Sequence, residues 1–392
     1  MVDKNYSEVE LYKIFEEHYK SVKDDPQTQI MQKVEGKSLK GPLFISWEIT
    51  SKCNLQCEHC RAANNNSRSS SNNFDSSDYK RVIEKLGESE IFTLGITGGE
   101  PFLHPYFWEI LEECKKYNFE LIVYTNGTFI DSNVAKRMAG ILDTNDILHI
   151  SLDGGTEVAN DRQRGKGSFK KTYKALEHLK DANLSVRLNV VPTKLNVDSI
   201  PELCDIAVKF SVKEFGASPL MLAGRASGNH LMPDQEKLFE MEQLVYNRLK
   251  FTNTKYIGGI SGTVHSYLSL PEWFDDNIYK IKHIGKERKL CDAGNRKLFI
   301  DAIGDVYPCN LFAEHKEFII GNIFYQDIKE IWNSSKLELF RNGYRVENVK
   351  CKECKLFELC NGGCMALAYH AYGKLGEIDP RCPMSREKMN CN

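Results

Sequence analysis

No stretch of this sequence approaches the ~18 consecutive apolar residues that a membrane-spanning helix needs, so no span and no membrane partner are expected. Charge of neither sign is in excess: 54 Asp and Glu against 52 Lys and Arg leave a net charge of −2. That balance gives no reason to expect nucleic acid or an anionic membrane surface as a partner. The start, Met1-Val-Asp-Lys-Asn-Tyr-Ser-Glu-Val-Glu10, lacks the basic segment and apolar core of a secretory signal. A cytoplasmic, reducing compartment is therefore expected. Cysteine is scarce through the middle of the chain, where only Cys114 and Cys204 lie between Cys60 and Cys291. Both fall in apolar helical patterns, Ile110-Leu-Glu-Glu-Cys114 and Leu203-Cys-Asp-Ile-Ala207, and read as buried, inert thiols.

The other cysteines are clustered. Of 13 in the 392-residue chain, three lie at 53–60 and eight at 291–391. An odd count without an export signal favours metal ligation over disulfides.

The periodicity predicts an α/β chain. Residues 8–19 place Leu11, Ile14, Phe15 and Tyr19 at helical spacing, an amphipathic helix within an N-terminal extension over 1–42. Strand patterns follow at 43–50, 91–97, 119–125, 147–152, 185–191 and 213–218. Helical patterns lie at about 75–88, 104–117, 131–140, 167–182, 198–210 and 233–250. Asp131-Ser-Asn, Gly167-Ser and Asn196-Val-Asp198 supply caps for three of the helices. Six β-then-α units predict a parallel sheet, flat or curved into a partial barrel, over 43–250. The functional residues of such sheets collect at the C-terminal strand ends. The polar run 62–73 reads as a mobile loop, 251–290 as a connector with a short helix, and 291–392 as a second, cysteine-rich unit.

Cys53-Asn-Leu-Gln-Cys57-Glu-His-Cys60 follows the first strand directly, with C-x3-C-x2-C spacing. Three thiolates on one short loop hold three irons of a four-iron cube and leave the fourth open. An open iron can bind a small molecule and pass it an electron. Structural zinc is the competing reading, but it wants four closed ligands. No fourth is obvious here, because His59 lies inside the tight Cys57–Cys60 span. Thr97-Gly-Gly-Glu-Pro101 ends the second strand. Its two glycines permit close backbone approach to a ligand, and Glu100 can accept from an ammonium group. A glycine-rich turn capped by Pro101 is the plainer alternative. In Asp161-Arg-Gln-Arg-Gly-Lys-Gly-Ser-Phe169, a guanidinium suits a carboxylate through paired hydrogen bonds. Arg164 and Arg162 compete for that role, and either reads equally as a solvated charge.

Over roughly 43–250 these residues resemble the radical S-adenosylmethionine (SAM) superfamily. The resemblance implies a partial (β/α)6 TIM-like barrel and a [4Fe-4S] cluster on Cys53, Cys57 and Cys60. It implies SAM contacts from His59 (through its backbone), Gly98, Gly99, Glu100, Ser151 and Arg164, with Asn189 a weaker candidate. The chemistry implied is reductive cleavage of SAM, with the 5′-deoxyadenosyl radical abstracting hydrogen from a substrate. A reducing partner such as flavodoxin or ferredoxin goes with it.

The C-terminal cysteines form a second pattern. Cys291 is followed after twelve residues by Gly304 and four later by Cys309; then come Cys351-x2-Cys354-x5-Cys360-x3-Cys364 and finally Cys382. The pattern resembles the SPASM domain, although zinc stays open as the plain reading. The resemblance assigns Cys351, Cys354, Cys360 and Cys382 to one auxiliary Fe–S cluster. It assigns Cys291, Cys309 and Cys364 to another, whose fourth position is unfilled; Cys391 is a candidate. Relatives of this kind modify peptides or proteins, by cross-link or oxidation, and others act on tetrapyrroles. Two departures stand out. Some relatives carry an Asp base after Pro-Cys, whereas Pro308-Cys309 is followed here by Asn310, which cannot act as a general base. Only about forty residues precede the first strand, fewer than an ordinary leader-binding domain needs, so a peptide substrate implies a separate recognition protein or direct binding by the barrel. Peptide or protein modification is the first expectation, tetrapyrrole or other small-molecule chemistry the second, and a non-catalytic Fe–S or zinc redox scaffold the third.

Overall fold

The structure is a computed structural model that describes residues 39–62, 74–89, 91–228, 230–257, 291–341, 353, 362–380 and 382. The expected helix at 8–19, most of the polar loop, the connector helix, and Cys351, Cys354, Cys360 and Cys391 lie outside these residues.

Strands and helices alternate as the pattern predicts: β1 (Phe44–Glu48), α1 (Ser76–Gly87), β2 (Thr93–Thr97), α2 (Phe107–Cys114), β3 (Glu120–Thr125), α3 (Ser132–Ala139) and β4 (Ile147–Ser151). There follow α4 (Glu157–Arg164), α5 (Ser168–Asp181), β5 (Val186–Val190), α6 (Ile200–Lys209), β6 (Glu214–Ala217), α7 (Gln235–Leu249) and β7 (Lys255–Ile257). The second part contributes β8 (Lys297–Ile300), β9 (Asp305–Tyr307), β10 (Gly321–Asn322), α8 (Ile328–Trp332), α9 (Glu338–Arg341) and α10 (Met365–Tyr372).

The ten strands among the described residues form one sheet in the order β10-β9-β8-β1-β2-β3-β4-β5-β6-β7. β1 to β7 pair in parallel, and β8 adds in parallel beside β1, with Phe44 opposite Lys297. The sheet therefore runs beyond the expected core at both edges. β7 lies in the stretch read as connector, and β8 brings the start of the cysteine-rich part into the main sheet.

Alternation along β1 sets the two faces. Ile45, Trp47 and Ile49 are buried, and the Trp47 ring stacks on Tyr79 of α1 at 5.7 Å. Each such side chain contributes about 1.5–3 kcal/mol by burial. Phe44, Ser46 and Glu48 point the other way, into the interior that the curved sheet encloses. A Cβ on Gly95, opposite Ser46, would lie 3.0 Å from the Tyr124 ring and 3.4 Å from the Phe44 ring, which places these residues in one interior layer. Register carries the layer on through Tyr124, His149, Arg187 and Glu214. Arg187 and Glu214 close it with a short ion pair, 2.7 Å from Nε.

Local chemistry explains where the caps differ from expectation. Asp131 caps α3 by accepting from the Asn133 and Val134 N–H groups at 2.9 and 2.8 Å. Gly167 precedes α5 in the left-handed conformation without a side-chain cap, and Ser168 Oγ instead donates to Asp161. Asn196 does not cap α6 either. Its amide donates to the Asp153 and Val191 carbonyls, and a 3-10 turn, Val197–Ser199, fills the gap before Ile200. Cys114 and Cys204 are buried as expected, and burial pushes the Cys204 thiol up to about 12.

Candidate active site

The loop of Cys53, Cys57 and Cys60 leaves the C-terminal end of β1. Its entry is fixed by the turn after β2: Gly99 N–H donates to Thr50 O at 2.7 Å and Glu100 N–H to Lys52 O at 2.8 Å. A Cβ on Gly98 would lie 2.6 Å from Thr50 O, and one on Gly99 would lie 2.3 Å from Lys52 O. Both glycines thus permit a close approach to the chain itself. Glu100 is fully buried and already engaged. It accepts from Thr125 Oγ1 at 2.7 Å and Asn126 N–H at 2.8 Å, which ties the loop to the end of β3. Burial outweighs these bonds and lifts its carboxyl to about 7. A carboxylate has further lone pairs for an ammonium group.

The far side of the loop rests on α4, a helix where the sequence suggested only a loop. Glu58 N–H donates to Gln163 O at 2.9 Å, and the Cys57 thiol faces Arg164 O at 4.0 Å. Arg164 is the last residue of α4 and is buried, whereas Arg162 is exposed, so only Arg164 reaches the loop. Its Nε stands 2.5 Å from Asp153 Oδ2, and His59 Nε2 stands 3.5 Å from the same oxygen. Burial alone would raise the Asp153 pKa, but Arg164 and the Val191 N–H together hold it below the usual range. Burial keeps His59 neutral, with its pKa lowered to about 4. From the third side Arg225 donates through Nε to Cys57 O at 2.7 Å and through its backbone to Cys60 O at 3.0 Å.

All three thiols are free, and they differ in access: Cys53 is exposed, Cys57 buried and Cys60 between. Burial pushes the Cys57 thiol to about 11, and the neighbouring thiols add to the rise. Among the described residues no three His, Cys, Asp or Glu side chains could hold a single metal ion. Three free thiols beside a buried guanidinium fit an anionic cluster. Ser151 ends β4 opposite Asn189 of β5, and Asn189 Oδ1 accepts from Ser218 at 2.9 Å.

A second thiol set lies at the opposite end of the same interior. β8 and β9 pair antiparallel with Phe299 opposite Tyr307, and Gly294 N–H is shared between the Lys297 and Pro308 carbonyls, which brings the backbone beside Cys309 close to the start of β8. Lys297 is level with Phe44, the first residue of β1. Cys309 is buried, Cys364 begins α10, and the electrostatics of Cys291, Cys309 and Cys364 all bear on Lys297. Asp379, fully buried, accepts from Cys364 N–H at 2.8 Å through its side chain and from Cys382 N–H at 2.9 Å through its backbone. Arg61, next to Cys60, reaches between the sets: its guanidinium lies 5.5 Å from the Phe299 ring centre and donates to Asn310 O at 3.1 Å.

The profile of the Radical SAM superfamily matches residues 47–207, and that of the SPASM iron–sulfur cluster-binding domain matches 291–355. Mycofactocin maturase MftC of Mycolicibacterium smegmatis is 30% identical over 367 residues, covering 91% of this chain and 86% of that protein. The chain belongs to the radical SAM superfamily. An AdoMet-dependent heme synthase of Methanosarcina barkeri is 27% identical over 354 residues, covering 87% of this chain and 96% of that one. Among solved structures, Streptococcus suis SuiB bound to precursor peptide SuiA superposes with a TM-score of 0.72 at 19% identity, over 98% of this chain and 83% of that one. The described residues contain no helix long and apolar enough to cross a membrane.

Within this radical SAM fold the structure adds residues that motif spacing did not single out. Asp153, two residues past Ser151, carries no motif of its own. Asn126, Arg225 and Asp379 had no signal beyond being polar residues in strand-end or connecting segments, a signal usable only once the strand ends are known. Two expectations follow from the geometry. Gly99→Ala should lower stability by about 1–3 kcal/mol, because Lys52 O is backbone and cannot step aside; denaturant unfolding checks this. The second concerns Glu100, whose folded pKa is raised, so its contribution is largest below about 4.5 and is lost as pH rises through about 7. In iron-free protein, the stability difference between wild type and Glu100→Gln should therefore shift against wild type by up to about 3 kcal/mol over that window. A pH-independent difference would contradict it.

Proposed function

We propose that this radical SAM enzyme abstracts hydrogen from a peptide or protein substrate and passes the electron left behind to an auxiliary cluster. The observation that carries the reading is the placement of two thiol sets at opposite ends of one barrel interior. Cys53, Cys57 and Cys60 would hold a [4Fe-4S] cluster, giving up their protons as they bind it. With SAM bound, that group supplies a 5′-deoxyadenosyl radical, which takes one hydrogen atom and leaves methionine and 5′-deoxyadenosine. Glu100 has acceptor capacity left for the methionine amine, and Ser151 and Asn189 stand at adjacent strand ends within reach of a ribose. Arg164 is committed to Asp153. Its share in binding a carboxylate would come from its remaining guanidinium donors, while the pair seats the loop.

Cys291, Cys309 and Cys364 would hold one auxiliary cluster. Cys351, Cys354, Cys360 and Cys382 would hold the other. Asn310 offers no base, so the substrate proton leaves by another group. The peptide reading is supported by a relative named as a maturase and by the likeness to a structure solved with a precursor peptide. The heme synthase relative keeps a tetrapyrrole as the second reading.

The test is anaerobic reconstitution with iron, sulfide, SAM and a strong reductant. 5′-Deoxyadenosine should form, and deuterium from a labelled precursor peptide should appear in it. Transfer from a tetrapyrrole instead would establish the second reading. No 5′-deoxyadenosine from a fully loaded sample would sink both.

A further inference from the structure

Solvent access alternates along the strands. Phe44 and Ser46 of β1, Tyr124 of β3, His149 and Ser151 of β4 and Arg187 of β5 keep partial access, whereas Ile45, Val123, Ile150 and Leu188 beside them are buried. The helices cover the outer face, so the inward residues line a cavity. His149 lies in its wall, level with Tyr124 on one side and Arg187 on the other. It points the same way as Ser151 but sits two residues, roughly 7 Å, deeper.

The Tyr124 ring lies 4.5 Å from that of His149, centre to centre, and meets Phe44 across Gly95. His149 therefore ends an aromatic wall. Its Nδ1 is buried with no hydrogen-bond partner, and none of the described residues hydrogen-bonds its Nε2. A buried polar group in that state costs free energy that a hydrogen-bonding ligand would recover. Both guanidinia that bear on the ring are engaged elsewhere, Arg187 with Glu214 at 2.7 Å and Arg164 with Asp153 at 2.5 Å. Burial, helped by these two, lowers the His149 pKa to about 3, so the ring is uncharged.

An uncharged ring whose charged neighbours are already paired suits an uncharged ligand. A carboxylate or an ammonium group would be buried there without a counter-ion, which is costly. One nitrogen of a neutral imidazole donates and the other accepts. An amide or a hydroxyl can do either, so it suits both tautomers, and the aromatic wall takes its apolar stem. We propose that His149 is a specificity-determining residue that holds a neutral hydrogen-bonding side chain of the substrate peptide, an amide or a hydroxyl, in the interior below Ser151. This rests on the reading of a peptide substrate.

The test is calorimetric titration of phenylacetamide and of phenylacetate, its charged counterpart of the same size, into the reconstituted enzyme with SAM and no reductant. The wild type should bind phenylacetamide about tenfold or more tightly than phenylacetate. His149→Leu should weaken phenylacetamide by about tenfold, the worth of one hydrogen bond in a buried site, and leave phenylacetate unchanged. His149→Gln, which keeps a donor and an acceptor, should retain the preference. His149→Leu should also unfold at no lower denaturant concentration than the wild type, because it removes a buried polar group without a partner. Equal phenylacetamide binding by wild type and His149→Leu, no binding by the wild type, or a preference for phenylacetate would each overturn the proposal. So would a clear loss of stability in His149→Leu, which would make the imidazole a structural group. Deuterium transfer from a labelled peptide judges the underlying reading separately. An amide preference that depends on His149, without such transfer, would uphold the subsite and overturn the peptide.

Discussion

Asp153→Ala should destabilise the protein by about 3–5 kcal/mol, the range found when one partner of a buried ion pair is removed. The reason lies in what stays behind. Arg164 is 7% exposed and Asp153 is fully buried, so the guanidinium would keep its charge without its counter-ion. The loss extends beyond the pair. Asp153 Oδ1 also accepts from Val191 N–H at 2.8 Å, which ties the end of β4 to that of β5. Denaturant unfolding of the iron-free protein reads the effect. Removing both charges, as Asp153→Ala with Arg164→Leu, should recover a large part of the loss, because no lone ion remains. A single variant as stable as wild type would mean that Arg164 reaches solvent.

Replacing Cys53, Cys57 and Cys60 together by alanine should abolish reductive SAM cleavage while leaving iron in the C-terminal set. The two sets are joined by the sheet and by Arg61, but they lie on separate segments of the chain. Iron and sulfide analysis with a 5′-deoxyadenosine assay measures both halves. Loss of all iron would show that the second set depends on the first for its assembly. Cleavage that survives would place SAM chemistry elsewhere.

Much of this arrangement was legible in the sequence, because the signals were local. The alternation of Phe44-Ile-Ser-Trp-Glu-Ile49, the spacing of Cys53, Cys57 and Cys60, and the Asp131 cap each depend on a few neighbouring residues. Contacts made across the sheet were not legible. That Gly98 and Gly99 make room for Thr50 and Lys52 depends on β1 and β2 lying side by side. Asn196 reads locally as a cap, but tertiary demand from the Asp153 carbonyl wins its amide. The helix of Arg164 was hidden because Glu157-Val-Ala-Asn-Asp-Arg-Gln-Arg164 is almost wholly polar. Its buried face is built from Asn160 and Gln163, hydrogen-bonded to Ser168 and the Val191 carbonyl, and Arg164, paired with Asp153. β8 was missed as part of the main sheet because a strand's neighbour cannot be read from its own residues.

β1 acts as a ruler. One thiol set follows its last residue, Glu48, and the other begins just ahead of β8, whose first residue, Lys297, is level with Phe44. Four steps of about 3.3 Å separate those levels, so roughly 13 Å of strand lies between them. The gap is held by hydrogen-bonded backbone, and no hinge between two lobes enters it. The segment between β7 and β8 could therefore change in length without altering that separation. A substrate touching both ends at once has to span that gap, about the reach of four residues of extended chain.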